Sequence, residues 1–334
     1  MIRPLLLVAV ALGALTPDPP RPPVGLFGFA VGVHPEEARR QRFRYPPRLE
    51  PLESLGASAI LLAPQLPIAN RRASVVGAGD PSEHLQIARR ARRRGLAVVW
   101  MPRLALAEAG ADDWRGNLSP QDRGRFWRSY RDAIVSHARW AAEEGVALFA
   151  IGSELSSLSG PETAAHWAAI AEAVRGEVDA PLAFVANHDA LDQRGPFGAI
   201  DVVGVSAYFP VGRDPRRAWR DAAERMAALA EETGKPLVVF ELGCPSRVGA
   251  LQSPWDDTVA TPVDLEGQRR YFAAARRALV GQRWLHGLFV WEAFGPGGPH
   301  DRSYTPFGKP AAREVARLLW GRHSGGSLSQ HPIR

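Results

Sequence analysis

Two glutamates of this sequence each lie near the end of an otherwise apolar run. Glu154 belongs to residues 147–155 and Glu241 to residues 237–245. A carboxylate is costly to bury unless it is paired or takes part in chemistry. Glycoside hydrolysis requires two carboxylates, one to donate a proton to the leaving oxygen and one to attack the anomeric carbon or activate water. The two glutamates are therefore a candidate catalytic pair, and salt bridges to nearby arginines are the alternative explanation.

Eight short apolar runs alternate with helix-like segments along the chain, as in a parallel sheet built from right-handed crossovers. Eight strands close a (β/α)8 barrel, so we predict an α/β fold, a single-domain TIM barrel over residues 24–322. A doubly wound sheet is the rival architecture, but no glycine-rich dinucleotide loop follows the first run. The predicted strands are residues 24–32, 57–67, 96–105, 147–155, 181–188, 201–210, 237–245 and 287–295.

The segments between the runs carry helix signals. Residues 122–144 form the clearest predicted helix, because apolar side chains recur there at helical spacing. Further helices are predicted over residues 161–178 and over residues 218–233, the latter followed by Gly234 as a stop signal. Only residues 189–200 separate the fifth and sixth runs, so we expect a loop or a single helical turn there.

In barrels of this type the active site lies at the carboxyl ends of the strands. Polar and aromatic side chains at the ends of the runs are therefore candidate substrate contacts. These candidates are Trp100, Arg103, Ser153, Asn187, His188, Tyr208 and Trp291. Trp114 and Trp255 lie on or near strand-end loops and, like Trp100, could stack on sugar rings. For these three tryptophans, stacking on sugar and packing of the protein itself both remain open.

Several motifs together resemble glycoside hydrolase family 113, the β-mannanase-like barrels of glycoside hydrolase clan A. The resemblance runs from about residue 26 to residue 320 and depends on the order and spacing of the motifs. The motifs are WRSY at residues 127–130, IGSEL at 151–155, ANHD at 186–189, DVVGVSAYFP at 201–210, FELG at 240–243, residues 268–273, and WLHGLFVW at 284–291.

This resemblance implies a retaining mechanism with Glu154 as acid/base and Glu241 as nucleophile. It implies that Tyr208 donates to Glu241 and keeps it ionised, whereas Glu154 sits in a more apolar setting that raises its pKa. Trp291 would form the floor of the −1 sugar site by stacking on the ring face. Asn187 and Arg103 would recognise sugar hydroxyls, and the pair His188-Asp189 could help to position the substrate.

Two positions depart from the family pattern and bear on the sugar. Ser153 stands where many clan members have an asparagine that binds the 2-hydroxyl, so that contact would be water-mediated or absent. Cys244 stands where a bulky aromatic residue is expected. The substrate is therefore a β-linked polysaccharide or cell-surface glycan of open identity, with endo-β-1,4-mannanase-like activity as the model. A non-catalytic carbohydrate-binding barrel of the cell envelope and a basic envelope scaffold are the alternatives.

Composition narrows the partners of this 334-residue chain. Its formal charge is +6, but all basic residues except two lysines are arginines, and they are dispersed. The densest run, residues 89–94, is predicted to be a solvated helix face and not a nucleic-acid site. The single Cys244 excludes an intrachain disulfide. No histidine pair has metal-ligand spacing, so we expect no metal and no cofactor. We expect a monomer whose partner is an oligosaccharide or polysaccharide, with an acidic polysaccharide still possible.

The N-terminus suggests export. Residues 1–15 combine a positive charge with an apolar run of signal-peptide length, so they are predicted to be a signal peptide or an N-terminal anchor. The proline-rich residues 16–23 then form a tether, and residues 323–334 a flexible tail. We expect the protein to be periplasmic, secreted or at the cell surface, with membrane contact only through an uncleaved N-terminal segment.

Overall fold

A computed structural model of the chain describes residues 25–43, 49–110 and 112–321. Eight parallel strands close into a barrel in the order β1-β10-β9-β8-β7-β6-β4-β2, and β3 and β5 form a separate two-stranded sheet. The strands are β1 (Leu26–Val31), β2 (Ala59–Leu62), β3 (Gln65–Ile68), β4 (Ala97–Trp100), β5 (Arg103–Leu106), β6 (Leu148–Ser153), β7 (Leu182–Asn187), β8 (Val202–Ser206), β9 (Leu237–Leu242) and β10 (Leu285–Ala293). The predicted TIM barrel is confirmed. The predicted leader at 1–15, tether at 16–23 and tail at 323–334 lie outside the described residues.

Helices cover the outside of the barrel. They are α1 (Pro35–Arg40), α2 (Glu50–Ser54), α3 (Ser82–Arg93), α4 (Arg123–Glu143), α5 (Ala164–Arg175), α6 (Pro215–Thr233), α7 (Leu265–Leu279) and α8 (Ala311–Trp320). The three predicted helices correspond to α4, α5 and α6. Asp122 caps α4 by accepting a hydrogen bond from the backbone N–H of Arg125. Gly234 ends α6 with a φ of 63°, a left-handed conformation that glycine adopts readily. Between β7 and β8 lies only the short 3-10 helix Phe197–Ala199, as the sequence indicates.

Side chains of the strands alternate between two apolar layers. The inner layer fills the barrel, with Phe240 and Phe289 packed among small residues such as Ala150 and Ala183. The outer layer lies between the strands and the helices and includes Trp167 and Trp219. This alternation follows from the two-residue period of a strand. Both layers are apolar, and most polar side chains of the barrel strands lie at their carboxyl ends.

Arginines in α3 and just after it form ion pairs with carboxylates of neighbouring elements, namely α2 and the residue that follows α4. The Arg89 guanidinium lies 2.7 Å from Glu144, and Arg94 lies 2.9 Å from Glu50 and 2.6 Å from Glu53. These contacts support the interpretation of a charged helix face. Among the described residues, no helix combines the length and the apolar character needed to span a bilayer.

Candidate active site

Irregularities in strand pairing lie next to the candidate site residues on three strands. Relative to its neighbour, one extra residue occurs within residues 150–152 of β6, within 239–241 of β9 and within 290–293 of β10. Such β-bulges interrupt the ladder and re-aim the side chains that follow, and they are common next to active sites. Here they directly precede or include Glu154, Glu241 and the end of β10. The backbone thus departs from regular pairing where the chemistry is expected.

Glu154 also has an unusual backbone conformation. Its φ is 56°, in the left-handed region that costs a side-chain-bearing residue roughly 1 kcal/mol or more. Its N–H donates to the carbonyl of Val185 at 2.8 Å, and the residue is only 7% exposed. Strained, buried polar residues of this kind are concentrated at functional sites. The conformation therefore supports a functional role for Glu154.

The surroundings of Glu154 differ from the expected apolar setting. Arg115, in the 3-10 helix Arg115–Asn117, brings its Nη1 to 3.5 Å from Glu154 Oε2. The guanidinium is itself mostly buried, and its Nε has no hydrogen-bond partner within the described part of the chain. The setting of Glu154 is therefore less apolar than expected, because the 3-10 helix that follows β5 places a cation beside this carboxylate.

Glu241 is the more deeply buried carboxylate of the pair. It is 3% exposed, and the Tyr208 hydroxyl donates a hydrogen bond to its Oε2 at 2.9 Å. Its Oε1 has no hydrogen-bond partner among the described residues. Burial, followed by the negative charge of Glu154, raises the pKa of Glu241 to about 7, against the opposing effects of Arg103, Arg115 and the Tyr208 hydrogen bond. Tyr208 is the hydrogen-bond donor expected for Glu241, but burial outweighs its effect, so the pKa of Glu241 is raised.

Both glutamates line one cavity of about 860 Å³ at the carboxyl end of the barrel, within the size range of ligand sites. The same cavity is lined by the predicted contacts Arg103, Asn187, His188, Tyr208 and Trp291. A second cavity of about 680 Å³ lies beside it on the side of β1 and α1, and His34, Arg103, Trp291 and Glu292 line both. The two cavities together make a groove across the mouth of the barrel.

Trp291 and Arg103 meet where the two cavities join. The Arg103 guanidinium lies 4.9 Å from the centroid of the Trp291 ring, a cation–π contact. Trp291 is 8% exposed, so little of its surface faces the groove while this contact is in place. Farther along the larger cavity, Asn187 Nδ2 donates to Asp189 Oδ1 at 2.8 Å. Arg103 and Asn187 thus contribute polar groups to the wall of the groove.

Three residues singled out in the sequence lie outside the groove. Trp100 is fully buried between barrel and helices, where its Nε1 donates to His137 Nδ1 at 3.2 Å, so its prediction as a substrate contact is wrong. The cause is alternation, since β4 turns Trp100 outward and its neighbour Val99 inward. Ser153 is 1% exposed and does not line either cavity, and Cys244 is buried in the outer layer. Neither Ser153 nor Cys244 therefore forms part of the wall of the groove.

Several groove residues were not found by the sequence reasoning. They are His34, Arg115, Asp257, Glu292 and Tyr304. Glu292 carried a usable signal, because it is a third carboxylate at a strand end and lies 3.7 Å from His34. The others lie on loops, where no periodic pattern indicates their direction. Within the described ranges, no group of three or more histidine, cysteine, aspartate or glutamate side chains is arranged to hold a metal ion.

A closed (β/α)8 barrel with two buried carboxylates in a groove at the strand ends has the architecture of the barrel-type glycoside hydrolases. The family comparison agrees, since the model of Glycoside Hydrolase Family 113 matches residues 77–295. The chain belongs to this family, and membership supports a glycoside hydrolase activity.

Solved structures of the same family are similar over nearly their whole length. The GH113 β-mannanase AaManA from Alicyclobacillus acidocaldarius, in complex with ManMIm, is 28% identical, with a TM-score of 0.75 over 88% of this chain and 95% of that chain. A GH113 β-1,4-mannanase at 18% identity has a TM-score of 0.75 over 89% of this chain and 98% of its own, which shows the shared fold. Comparison with curated protein sequences gave no match.

Proposed function

We propose that this protein is a retaining glycoside hydrolase that cleaves a β-linked glycan in the manner of a β-mannanase, with Glu154 as acid/base and Glu241 as nucleophile. The observation that carries the proposal is the placement of two buried carboxylates, on strands across the barrel, in the wall of one groove. The family and the β-mannanase relatives support the reaction class.

The first chemical step forms a bond between the enzyme and the sugar. Ionised Glu241 attacks the anomeric carbon while Glu154 donates a proton to the leaving glycosidic oxygen, and the glycosidic bond breaks. The Tyr208 hydroxyl at 2.9 Å and the nearby Arg103 stabilise the negative charge on Glu241 before attack. The products of this step are a glycosyl ester of Glu241 and a released sugar with a free hydroxyl.

The second step hydrolyses the ester. Glu154, now ionised, takes a proton from water as the water oxygen attacks the anomeric carbon, and the ester bond to Glu241 breaks. Two displacements at one carbon restore the original configuration. Burial and the charge of Glu154 raise the pKa of Glu241, so the two carboxyls do not readily ionise together and share one proton near neutral pH. The first step proceeds from the form of the pair in which Glu154 holds that proton.

The groove supports a polymeric substrate and internal cleavage. It continues past the junction at Trp291 into the second cavity, so sugar units can occupy both sides of the reacting bond. Asn187 in the larger cavity and Arg103 at the junction of the two cavities are proposed to bind sugar hydroxyls. We further propose that the enzyme is exported, based on the apolar N-terminal residues 5–15.

The stereochemistry of the product tests this function. Proton NMR of early hydrolysis of a β-1,4-linked manno-oligosaccharide should show the β-anomer first, with the α-anomer appearing later by mutarotation. Direct appearance of the α-anomer would contradict the double displacement. A panel of other β-linked glycans is the comparison that identifies the preferred sugar, and an absence of hydrolysis across the whole panel would contradict the function itself.

Replacing Tyr208 by phenylalanine should shift the acidic limb of the pH profile to higher pH. The hydroxyl stabilises the ionised form of Glu241, so its removal raises the pKa of that group above about 7. Activity that needs ionised Glu241 is lost as pH falls through this pKa, and the shift should be on the order of one pH unit. The measurement is kcat/KM against pH. Tyr304→Phe is the control, because Tyr304 lines the groove and packs 6.1 Å from Tyr208. An unshifted Tyr208→Phe profile would contradict the assigned contact.

A further inference from the structure

Trp255 is an unusually exposed aromatic residue in the wall of the groove. It follows β9 on a loop, lines the larger cavity and has 49% of its surface exposed. Ligand-binding cavities are lined mainly by hydrophobic and aromatic side chains, so an exposed tryptophan in this wall is a candidate ligand contact. An indole ring offers a flat apolar face, which complements the C–H face of a pyranose.

One face of Trp255 rests on His188. The ring centroids are 5.4 Å apart and the planes are inclined by 25°, so the two rings are stacked. His188 is 9% exposed and is fixed by its neighbours: Nδ1 lies 3.2 Å from Asn187 Oδ1, and Arg225 donates to its backbone carbonyl at 3.1 Å. Burial lowers the pKa of His188, so the ring is neutral at neutral pH and the contact is an aromatic stack.

The loop itself is fixed on the other side of Trp255. The next residue, Asp256, forms an ion pair with Arg247 at 3.3 Å, and the Arg247 side chain is 4% exposed. The backbone N–H and hydroxyl of Thr258 donate to Asp256 Oδ1 at 2.9 and 2.7 Å. A side chain held in place before binding loses less conformational entropy when a ligand arrives. Trp255 is therefore a preorganised platform.

The barrel order indicates on which side of the scissile bond Trp255 would bind a sugar. Trp291 lies on β10, on the far side of β9 and Glu241 in the barrel order, whereas Trp255 stacks on His188 at the end of β7. β7 pairs with β6, which leads directly to Glu154, so Trp255 lies on the Glu154 side of the larger cavity. If the sugar that is attacked sits at Trp291, the leaving sugar extends past Glu154, which protonates its oxygen. Trp255 lies in that direction.

We propose that Trp255, positioned by the stack on His188, binds the ring face of a sugar unit on the leaving-group side of the catalytic pair. This inference rests on the proposed function and assigns a neutral pyranose as the ligand of this subsite. His188 is then a positioning residue that acts through Trp255.

The same subsite would receive an acceptor sugar after the first step. An acceptor hydroxyl gives its proton to Glu154 while its oxygen bonds to the anomeric carbon, and the ester bond to Glu241 breaks. This transglycosylation competes with attack by water. A platform for the acceptor therefore controls the ratio of transglycosylation to hydrolysis.

The test compares Trp255→Ala, Trp255→Phe and the control Val259→Ala, which alters an exposed residue nearby that lines neither cavity. For a manno-oligosaccharide, Trp255→Ala should raise KM about tenfold and lower the transglycosylation ratio by a similar factor. A β-mannosyl fluoride, whose leaving group is too small to reach this subsite, should be hydrolysed within about twofold of the wild-type rate. Trp255→Phe should recover part of the loss, and Val259→Ala should match the wild type.

Two results would overturn the subsite. One is an unchanged KM and transglycosylation ratio for the oligosaccharide, and the other is an equal loss on the mannosyl fluoride, which would indicate a general structural defect. Calorimetry of oligosaccharide binding to Glu241→Gln and to Glu241→Gln/Trp255→Ala provides a readout without turnover. If the wild type hydrolyses no glycan, the proposed function fails, whereas a tenfold difference in binding between these two variants would still support the platform.

Discussion

Replacing Glu241 by glutamine should lower kcat for glycan hydrolysis by a factor on the order of 10⁴ or more, because an amide cannot form the glycosyl ester. The variant should fold, since glutamine has nearly the same shape and its amide oxygen can accept the Tyr208 hydrogen bond at the same place. Rates on a manno-oligosaccharide and on an aryl β-glycoside measure the loss. Glu292→Gln is the matched control, because Glu292 is a carboxylate in the wall of the same groove.

The same substitution should stabilise the protein at neutral and higher pH. The folded-state pKa of Glu241 is raised from 4.5 to about 7, so the buried charge destabilises the fold by about 3 kcal/mol above pH 7. Below about pH 4.5 the group is protonated in both states and the difference disappears. Thermal unfolding of wild type and Glu241→Gln across this range measures the effect. Wild-type activity in the variant would refute the nucleophile, and a pH-independent difference in stability would refute the raised pKa.

Replacing Glu154 by glutamine should produce a loss that depends on the leaving group. Protonation of a sugar oxygen contributes roughly 10²- to 10⁴-fold, so kcat/KM for an oligosaccharide should fall by that factor. A dinitrophenyl glycoside needs no protonation, so its first step should be nearly unchanged while hydrolysis of the ester slows. The expected signature is a burst of dinitrophenol followed by slow turnover, measured by stopped-flow absorbance.

Arg115→Met is the control for the Glu154 experiment. It removes the cation 3.5 Å from Glu154 but keeps the carboxyl group, so it should leave proton transfer to the leaving oxygen in place. Equal losses for all leaving groups in Glu154→Gln would contradict the acid/base assignment. So would a Glu154→Gln profile that matches that of Arg115→Met.

The periodicity of apolar residues predicts the barrel, but it predicts two of the strands to be longer than they are. Residues 57–67 and 96–105 were each expected to form one strand, and each contains two, separated by a proline at position 64 or 102. Proline has no N–H to donate, so it interrupts a ladder. The first half of each run forms a strand of the barrel. The second half forms a strand of the separate two-stranded sheet, which contains Arg103.

The candidate pair could be predicted because a glutamate is conspicuous in an apolar strand. The errors arose where the answer depends on distant parts of the chain. The sequence correctly predicts that Trp100 ends a strand. Whether its side chain points into the barrel or towards the helices depends on its position in the alternation of the strand, and it points towards the helices. The Arg115 contact with Glu154 and the burial that raises the pKa of Glu241 are tertiary effects that no local pattern encodes.

The inserted residues in β6, β9 and β10 divide each strand into two parts with separate tasks. Before the inserted residue, the inward side chains fill the barrel interior, so the effect of a substitution there depends on its volume. After it, the side chains line the open end of the barrel, so the effect of a substitution depends on the chemical groups that it places in the groove. Specificity can therefore diverge between relatives at the rim without repacking the interior, whereas deletion of a single inserted residue would turn the side chains beyond it to the opposite face of the sheet.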